Sequence, residues 1–161
     1  MNTEHAHLPR LPRLGAGEPD LQRMVDAANA GAMPLMLLYL DIDHFKAIND
    51  TLGHDIGDLL LVEAARRITQ PLGPQDTVAR MGGDEFTVIL GQVPDAPALD
   101  AMLQGMPDRL ASAFHIGPEQ VFVSASMGVA LYPRDGEELD ALMSKADSAM
   151  FMQKSAMLVL R

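Results

Sequence analysis

Acidic side chains crowd one short stretch in the first half of the chain. They are Asp41, Asp43, Asp50, Asp55 and Asp58. Asp41 directly follows a continuous apolar run that is typical of a buried strand. Ligands of open α/β sheets bind at this strand end, and a carboxylate there is costly unless a group such as a divalent cation compensates its charge. A helix cap or a solvated acid beyond the strand is the alternative, so position alone leaves the metal site a hypothesis.

A second candidate site is the segment 82–85, which reads Gly-Gly-Asp-Glu between two short apolar runs. This pattern predicts the tip of a β-hairpin. Two adjacent glycines permit positive φ angles and let a bulky ligand approach the backbone. Asp84 and Glu85 could bind a metal ion or accept a proton. A plain turn with solvated acids explains the same residues equally well.

Three further side chains could contact a nucleotide. An amide and a carboxylate suit the donor and acceptor pattern of guanine, which makes Asn49 and Asp58 candidates for base recognition. Asp58 could instead complete a capping box with Asp55. Lys154, at the end of the last long helical pattern, could bind phosphate or satisfy the helix C-terminus.

Hydrophobic periodicity predicts the elements that must position these residues. Helices are predicted over 20–30, 55–70 and 137–153, with another ending near residue 114, and strands over 36–40, 77–81, 86–90, 121–131 and 157–160. Asp55 is the predicted N-cap of the second helix. This order predicts an α/β sandwich on a mixed sheet, with a central antiparallel hairpin and flanking helices. Residues 1–19, rich in proline and glycine, are predicted to form a lead-in segment or linker before one domain over 20–161.

Composition limits the classes of function. The 161 residues match the length of one domain, 48% of them are hydrophobic, and the formal net charge is −10. So acidic a surface argues against nucleic-acid binding, although a nucleotide held through a metal ion stays possible. The absence of Cys excludes disulfides and thiol catalysis. No apolar stretch approaches the roughly 20 residues of a membrane helix and no signal-peptide pattern is visible, so we expect a cytoplasmic domain without membrane contact.

Five blocks, taken in order, resemble a known family. They are DIDHFKAINDTLGH from Asp41, GD at Gly57, RMGGDEF from Arg80, SMGVA from Ser126 and ADSAMF from Ala146. Together they closely resemble the GGDEF family of diguanylate cyclases over roughly residues 35–154. The resemblance implies a fold like the adenylyl cyclase catalytic domain. It also implies the reaction, in which two GTP molecules condense to cyclic di-GMP and two pyrophosphates in a face-to-face homodimer.

The resemblance also implies roles for individual residues. Asp41 and Asp84 would hold Mg²⁺ or Mn²⁺ together with the Ile42 carbonyl, and Asp84 would also accept the proton of the attacking hydroxyl, with Glu85 beside it as a metal or catalytic carboxylate. The remaining residues would bind the substrate GTP. Asn49 and Asp58 would recognise guanine, Gly82 and Gly83 would let the nucleotide lie close, backbone N–H groups around His44, Phe45 and Lys46 would meet the phosphates, and Lys154 would bind phosphate.

Departures from the family pattern define an alternative function. Residues 8–13 keep only part of the usual opening segment, Gly73 stands where the product-inhibition motif has Arg, and Leu158 stands where a phosphate-binding cation is expected. The resemblance therefore implies weak or absent feedback inhibition. The alternative is a weakly active or inactive GTP-binding module that regulates an attached or partner phosphodiesterase. A sensory domain is the other attachment that the resemblance implies.

Overall fold

The computed structural model describes residues 17–31 and 33–160, with side chains through residue 152. Most of the predicted lead-in segment lies outside the described residues. The helices are α1 Glu18–Gly31, α2 Phe45–Leu52, α3 His54–Thr69, α4 Ala96–Ala111 and α5 Leu139–Leu160. The strands are β1 Leu35–Ile42, β2 Thr77–Arg80, β3 Glu85–Leu90, β4 Phe114–Ile116, β5 Glu119–Val121 and β6 Ala125–Tyr132.

The main sheet has four strands in the order β2-β3-β1-β6, and β4 and β5 form a separate hairpin. The expected α/β sandwich is confirmed, but the four-stranded sheet is antiparallel at each described pairing, where a mixed sheet was expected. The reason is that β3 folds back and inserts between β1 and β2, so these two like-directed strands are not neighbours. The register places Asp41 opposite Glu85 on β3 and opposite Ser126 on β6.

Both faces of β1 are buried, which explains its continuous apolar sequence. Alternate residues, among them Leu38 and Leu40, pack into a core with α3 and α4. The residues between them, Leu37 and Tyr39, pack into a second core with α1 and α5. Asp41 continues this second set of positions, so its carboxylate lies on the α5 side of the sheet.

Helix α5 lies directly on the sheet because Gly128 has no side chain. A Cβ atom at this position would lie 1.8 Å from the carbonyl oxygen of Ala146 and 2.7 Å from the Met150 nitrogen. Gly128 is the register partner of Tyr39. The close approach of α5 therefore covers the Tyr39 ring just before β1 reaches Asp41.

Several predicted elements are corrected by the structure. Helix α2 was not predicted, and α3 begins at His54 with Gly53 as its N-cap rather than Asp55. The predicted strand 121–131 is divided, because β5 pairs with β4 while β6 pairs with β1. The predicted strand 157–160 is the end of α5, since no Gly or Pro interrupts the helix after residue 150. None of the helices among the described residues is both long and apolar enough to cross a membrane.

Candidate active site

The end of β1 and the tip of the β2–β3 hairpin bring two carboxylates together. The Ile42 N–H donates a hydrogen bond to the Asp84 carbonyl oxygen at 3.1 Å, which fixes the hairpin tip against β1. The Asp84 carboxyl, when protonated, donates to the Asp41 carboxylate. Burial, then the negative charge of Asp41 and this hydrogen bond, raise the pKa of Asp84 to about 6. The predicted pair of acids is therefore brought into direct contact.

Such a pair suits a divalent cation that is also bound by a ligand. Mg²⁺ is usually held by one or two carboxylates together with substrate phosphates and water. Within the described part of the chain no three His, Asp or Glu side chains are arranged to hold a metal ion by themselves. The donor set of Asp41, Asp84 and a backbone carbonyl fits a site that phosphate oxygens complete. The Ile42 side chain is buried in the core, so only its backbone carbonyl is suited to this role.

The hairpin tip is shaped by Arg80 and two glycines. The Arg80 Nε donates to the carbonyl oxygens of Gly82 and Gly83 at 3.1 and 3.2 Å. Neither glycine has a positive φ, so this part of the sequence interpretation was wrong. The two glycines matter because of the room around them. A Cβ at Gly83 would meet no atom within 4 Å, whereas a Cβ at Gly82 would lie 3.2 Å from Glu85 Oε2. The surface above Gly83 is thus open to a ligand.

Glu85 is held from the sheet by a residue that sequence reasoning missed. The Tyr39 hydroxyl donates to Glu85 Oε2 at 2.6 Å. Burial, followed by this hydrogen bond and the charge of Glu85, raises the pKa of Tyr39 above its ordinary value. The tyrosine therefore stays protonated and remains a donor at neutral pH. Only the register of β1 against β3 brings the two residues together.

The turn between β1 and α2 is fixed by Asp43. Its carboxylate accepts hydrogen bonds from the hydroxyls of Ser124 and Ser126 at 2.8 and 2.9 Å, and its N–H donates to the Ser124 carbonyl at 2.9 Å. His44 follows with a left-handed backbone (φ 59°) and makes no side-chain cap for α2. The first N–H groups of a helix lack intrahelical partners, so this turn suits an anion. Lys46 is exposed in the first turn of α2, whereas the Phe45 side chain is buried.

Asn49 and Asp58 lie on α2 and α3, which pack closely at Gly57. A Cβ at Gly57 would lie 1.8 Å from Asn49 Oδ1 and 3.2 Å from the Phe45 ring. Among the described residues, the buried Asn49 Oδ1 has no hydrogen-bond partner. A buried acceptor without a partner costs about 1–3 kcal/mol, which a bound donor would recover. Because no side chain caps α3, the capping-box interpretation of Asp58 is not supported.

The other predicted residues contribute less to this geometry. Lys154 lies in α5, and its side chain is outside the described residues. A cavity of about 410 Å³ adjoins the β1–α2 turn, with Asp43, His44 and Ser124 at its polar part and Ile48 and Phe122 among its apolar residues. The two contacting carboxylates do not line this cavity.

Comparisons with known proteins identify the family. The family model described as diguanylate cyclase, GGDEF domain, matches residues 15–158. The chain belongs to the GGDEF domain family. This confirms the resemblance that the sequence blocks indicated. In this GGDEF domain, Asp41 lies opposite Glu85 of the hairpin.

Two curated relatives from Pseudomonas aeruginosa illustrate the family. The bifunctional diguanylate cyclase/cyclic di-GMP phosphodiesterase MucR is 38% identical over 93% of this chain, and the diguanylate cyclase TpbB is 40% identical over 93%. The chain spans 22% and 35% of the length of these proteins. The crystal structure of the GGDEF domain of TpbB has a TM-score of 0.78 at 36% identity and covers 86% of this chain and 87% of that one.

The position of the product-inhibition motif is used structurally in this GGDEF domain. The buried Asp76 carboxylate accepts hydrogen bonds from the backbone N–H groups of Gly73 at 2.8 Å and Gly91 at 3.0 Å. These bonds tie the loop after α3 to the end of β3. Asp76 therefore has a structural role in this loop, and Gly73 has no side chain.

Proposed function

We propose that this domain condenses two GTP molecules into cyclic di-GMP with release of two pyrophosphates. The observation that carries the proposal is the contact between the Asp84 and Asp41 carboxyls, with the pKa of Asp84 raised to about 6. Two acids held so close repel each other once both are ionised, and a bound cation relieves that repulsion. Attack of a 3′-hydroxyl on an α-phosphate requires this kind of charge neutralisation.

In this proposal Asp41, Asp84 and the Ile42 carbonyl hold Mg²⁺ or Mn²⁺. The ion, when bound, neutralises the triphosphate and makes the attacking hydroxyl more acidic. Asp84 is also proposed to take the proton from that hydroxyl, because its carboxyl lies at the hairpin tip beside Asp41, where the ion and the nucleotide would meet. Glu85 lies opposite Asp41 in the strand register, as a further carboxylate for the metal or for the proton.

The substrate-binding residues are proposed on the same geometry. The uncapped first turn of α2, at Phe45 and Lys46, offers backbone N–H groups to the phosphates. Asn49 and Asp58 recognise guanine, for which the unpartnered Asn49 Oδ1 is the supporting observation. The open surface above Gly83 admits the nucleotide to the hairpin tip. Lys154 is proposed as a phosphate ligand from the family resemblance alone.

Catalysis requires two copies of the domain. Each site binds one GTP and supplies one attacking hydroxyl, so the product forms only between two facing subunits. The relatives are longer proteins, and an attached sensory or phosphodiesterase domain is proposed as the element that sets this pairing. The alternative, a GTP-binding module that regulates a phosphodiesterase without turnover, gains support from the relative MucR, whose name combines both activities.

The proposal is tested by incubating the domain with GTP and Mg²⁺ at several protein concentrations and identifying the nucleotides by mass. We expect cyclic di-GMP, with a specific activity that rises with protein concentration because two subunits must meet. Asp84→Ala should abolish the product without unfolding the domain, whereas Asp100→Ala, at an exposed position of α4, should leave the rate unchanged. An Asp84→Ala variant with the rate of the unaltered domain would refute the site.

A further inference from the structure

Tyr39 lies one alternation before Asp41 on the same face of β1. Its side chain is 9% exposed, and it belongs to the core that includes Ala146 and Met150 of α5. On β6 its register partner is Gly128, where α5 lies so close to the sheet that a Cβ atom would clash with it. The ring is therefore clamped between the sheet and the helix, and its hydroxyl has a fixed position.

The Tyr39 hydroxyl binds Glu85, which follows the hairpin tip in β3. It donates to Glu85 Oε2 at 2.6 Å, which is a short bond of the charge-assisted kind. The same oxygen lies 3.2 Å from the place where a Cβ of Gly82 would stand. Glu85 is thus confined on one side by Tyr39 and on the other by the hairpin backbone, at the strand position opposite Asp41.

We infer that Tyr39 is a positioning residue that holds Glu85 ready for the divalent cation of the site. The inference rests on the proposed function, because it assigns Glu85 to the metal-binding carboxylates. Groups that orient a ligating carboxylate typically change metal affinity or activity 10–100-fold when they are removed.

The chain supplies a matched control for this inference. Tyr132 is 8% exposed on the same face of the sheet, and its hydroxyl donates to Asn29 Oδ1 at 2.6 Å. This bond has the same length as the one at Tyr39 but lies at the far end of β1, opposite Leu35. Tyr39→Phe and Tyr132→Phe therefore remove equivalent hydroxyls from equivalent burial, and only one of them contacts the site.

The experiment measures Mn²⁺ binding by electron paramagnetic resonance in the presence of a non-hydrolysable GTP analogue. Tyr39→Phe should weaken Mn²⁺ binding about tenfold or more, and Tyr132→Phe should leave it unchanged. In turnover, Tyr39→Phe should raise the Mn²⁺ concentration that gives the half-maximal rate, whereas Tyr132→Phe should leave it unchanged. Equal Mn²⁺ affinity in the two variants would overturn the inference.

A double-mutant cycle separates positioning from a general structural effect. If Tyr39 acts through Glu85, adding Tyr39→Phe to a Glu85→Gln variant should cause no further loss of Mn²⁺ affinity. Additive losses would show that Tyr39 acts by another route and would overturn the inference. A domain dimerised by a fused coiled coil that binds Mn²⁺ with the analogue but forms no cyclic di-GMP would refute the proposed function and leave the role of Tyr39 intact.

Discussion

Replacing Asp84 by Asn should stabilise the metal-free domain at neutral pH while it abolishes turnover. The folded domain holds the Asp84 proton up to a pKa of about 6, whereas an unfolded chain releases it near 3.8. Between these values the folded state binds more protons, so the free energy of unfolding falls as the pH rises through this window. Asn carries no charge and its amide can still donate a hydrogen bond to Asp41. The variant therefore avoids this fall in the free energy of unfolding.

The magnitude follows from the size of the pKa change. A rise from 3.8 to about 6 corresponds to roughly 3 kcal/mol at about 1.4 kcal/mol per pKa unit. Asp84 is only half-buried, and solvent screening reduces this figure. We therefore expect Asp84→Asn to raise the free energy of unfolding by about 1–1.5 kcal/mol at pH 7.5, or about 2–6 °C in Tm for a chain of this length.

The assay is thermal and urea unfolding in EDTA at pH 7.5 and pH 5, with Asp100→Asn as the exposed control. The increase in the free energy of unfolding caused by Asp84→Asn should be smaller at pH 5, because in the folded wild type the Asp84 carboxyl is then mostly protonated. Adding Mg²⁺ at pH 7.5 should stabilise the wild type more than the variant, because the ion binds the folded site. An increase in the free energy of unfolding no larger than that of Asp100→Asn, or an increase of the same size at both pH values, would refute the reasoning.

Three further predictions test the packing around the site. Gly57→Ala places a Cβ 1.8 Å from Asn49 Oδ1, so displacement of the amide should weaken GTP binding about tenfold, the value of one hydrogen bond; an unchanged Kd by calorimetry would contradict the guanine site. Gly128→Ala places a Cβ 1.8 Å from a carbonyl of α5, and urea unfolding should show a loss of about 1–3 kcal/mol or more; an unaltered midpoint would count against the close packing of α5. In Tyr132→Phe, Tyr39 is the only tyrosine and no Trp is present, so ultraviolet absorbance should show ionisation well above pH 10; ionisation near 10 with the fold intact would contradict the buried bond.

Much of the fold could be predicted because β1, β2 and β3 carry clear signals in the local sequence. The apolar run before Asp41 is continuous since β1 is covered on both faces, and the glycines at 82 and 83 mark the hairpin between two alternating segments. Helix α2 was missed because it is only eight residues long and is separated from α3 by the single residue Gly53. Such a break depends on one left-handed backbone angle, φ 96° at Gly53, which periodicity does not reveal.

The candidate site was predicted residue by residue, but its connections were not. Asp41, Asp84 and Glu85 stand out as acids next to strand ends, which is a signal within the local sequence. The bond from Tyr39 to Glu85 and the bonds from Ser124 and Ser126 to Asp43 join residues that are far apart in the chain. They depend on the register of antiparallel strands, which is set by the packing of the whole sheet.

The central claim is tested most directly by forcing two copies of the domain together. A fused coiled coil supplies the dimer, and the product of GTP and Mg²⁺ is identified by mass, with Asp84→Ala in the same fusion as the control. We predict cyclic di-GMP from the unaltered fusion and none from the control. A dimeric fusion that binds GTP with Mg²⁺ and forms no cyclic di-GMP would contradict the proposed activity and favour the regulatory GTP-binding module.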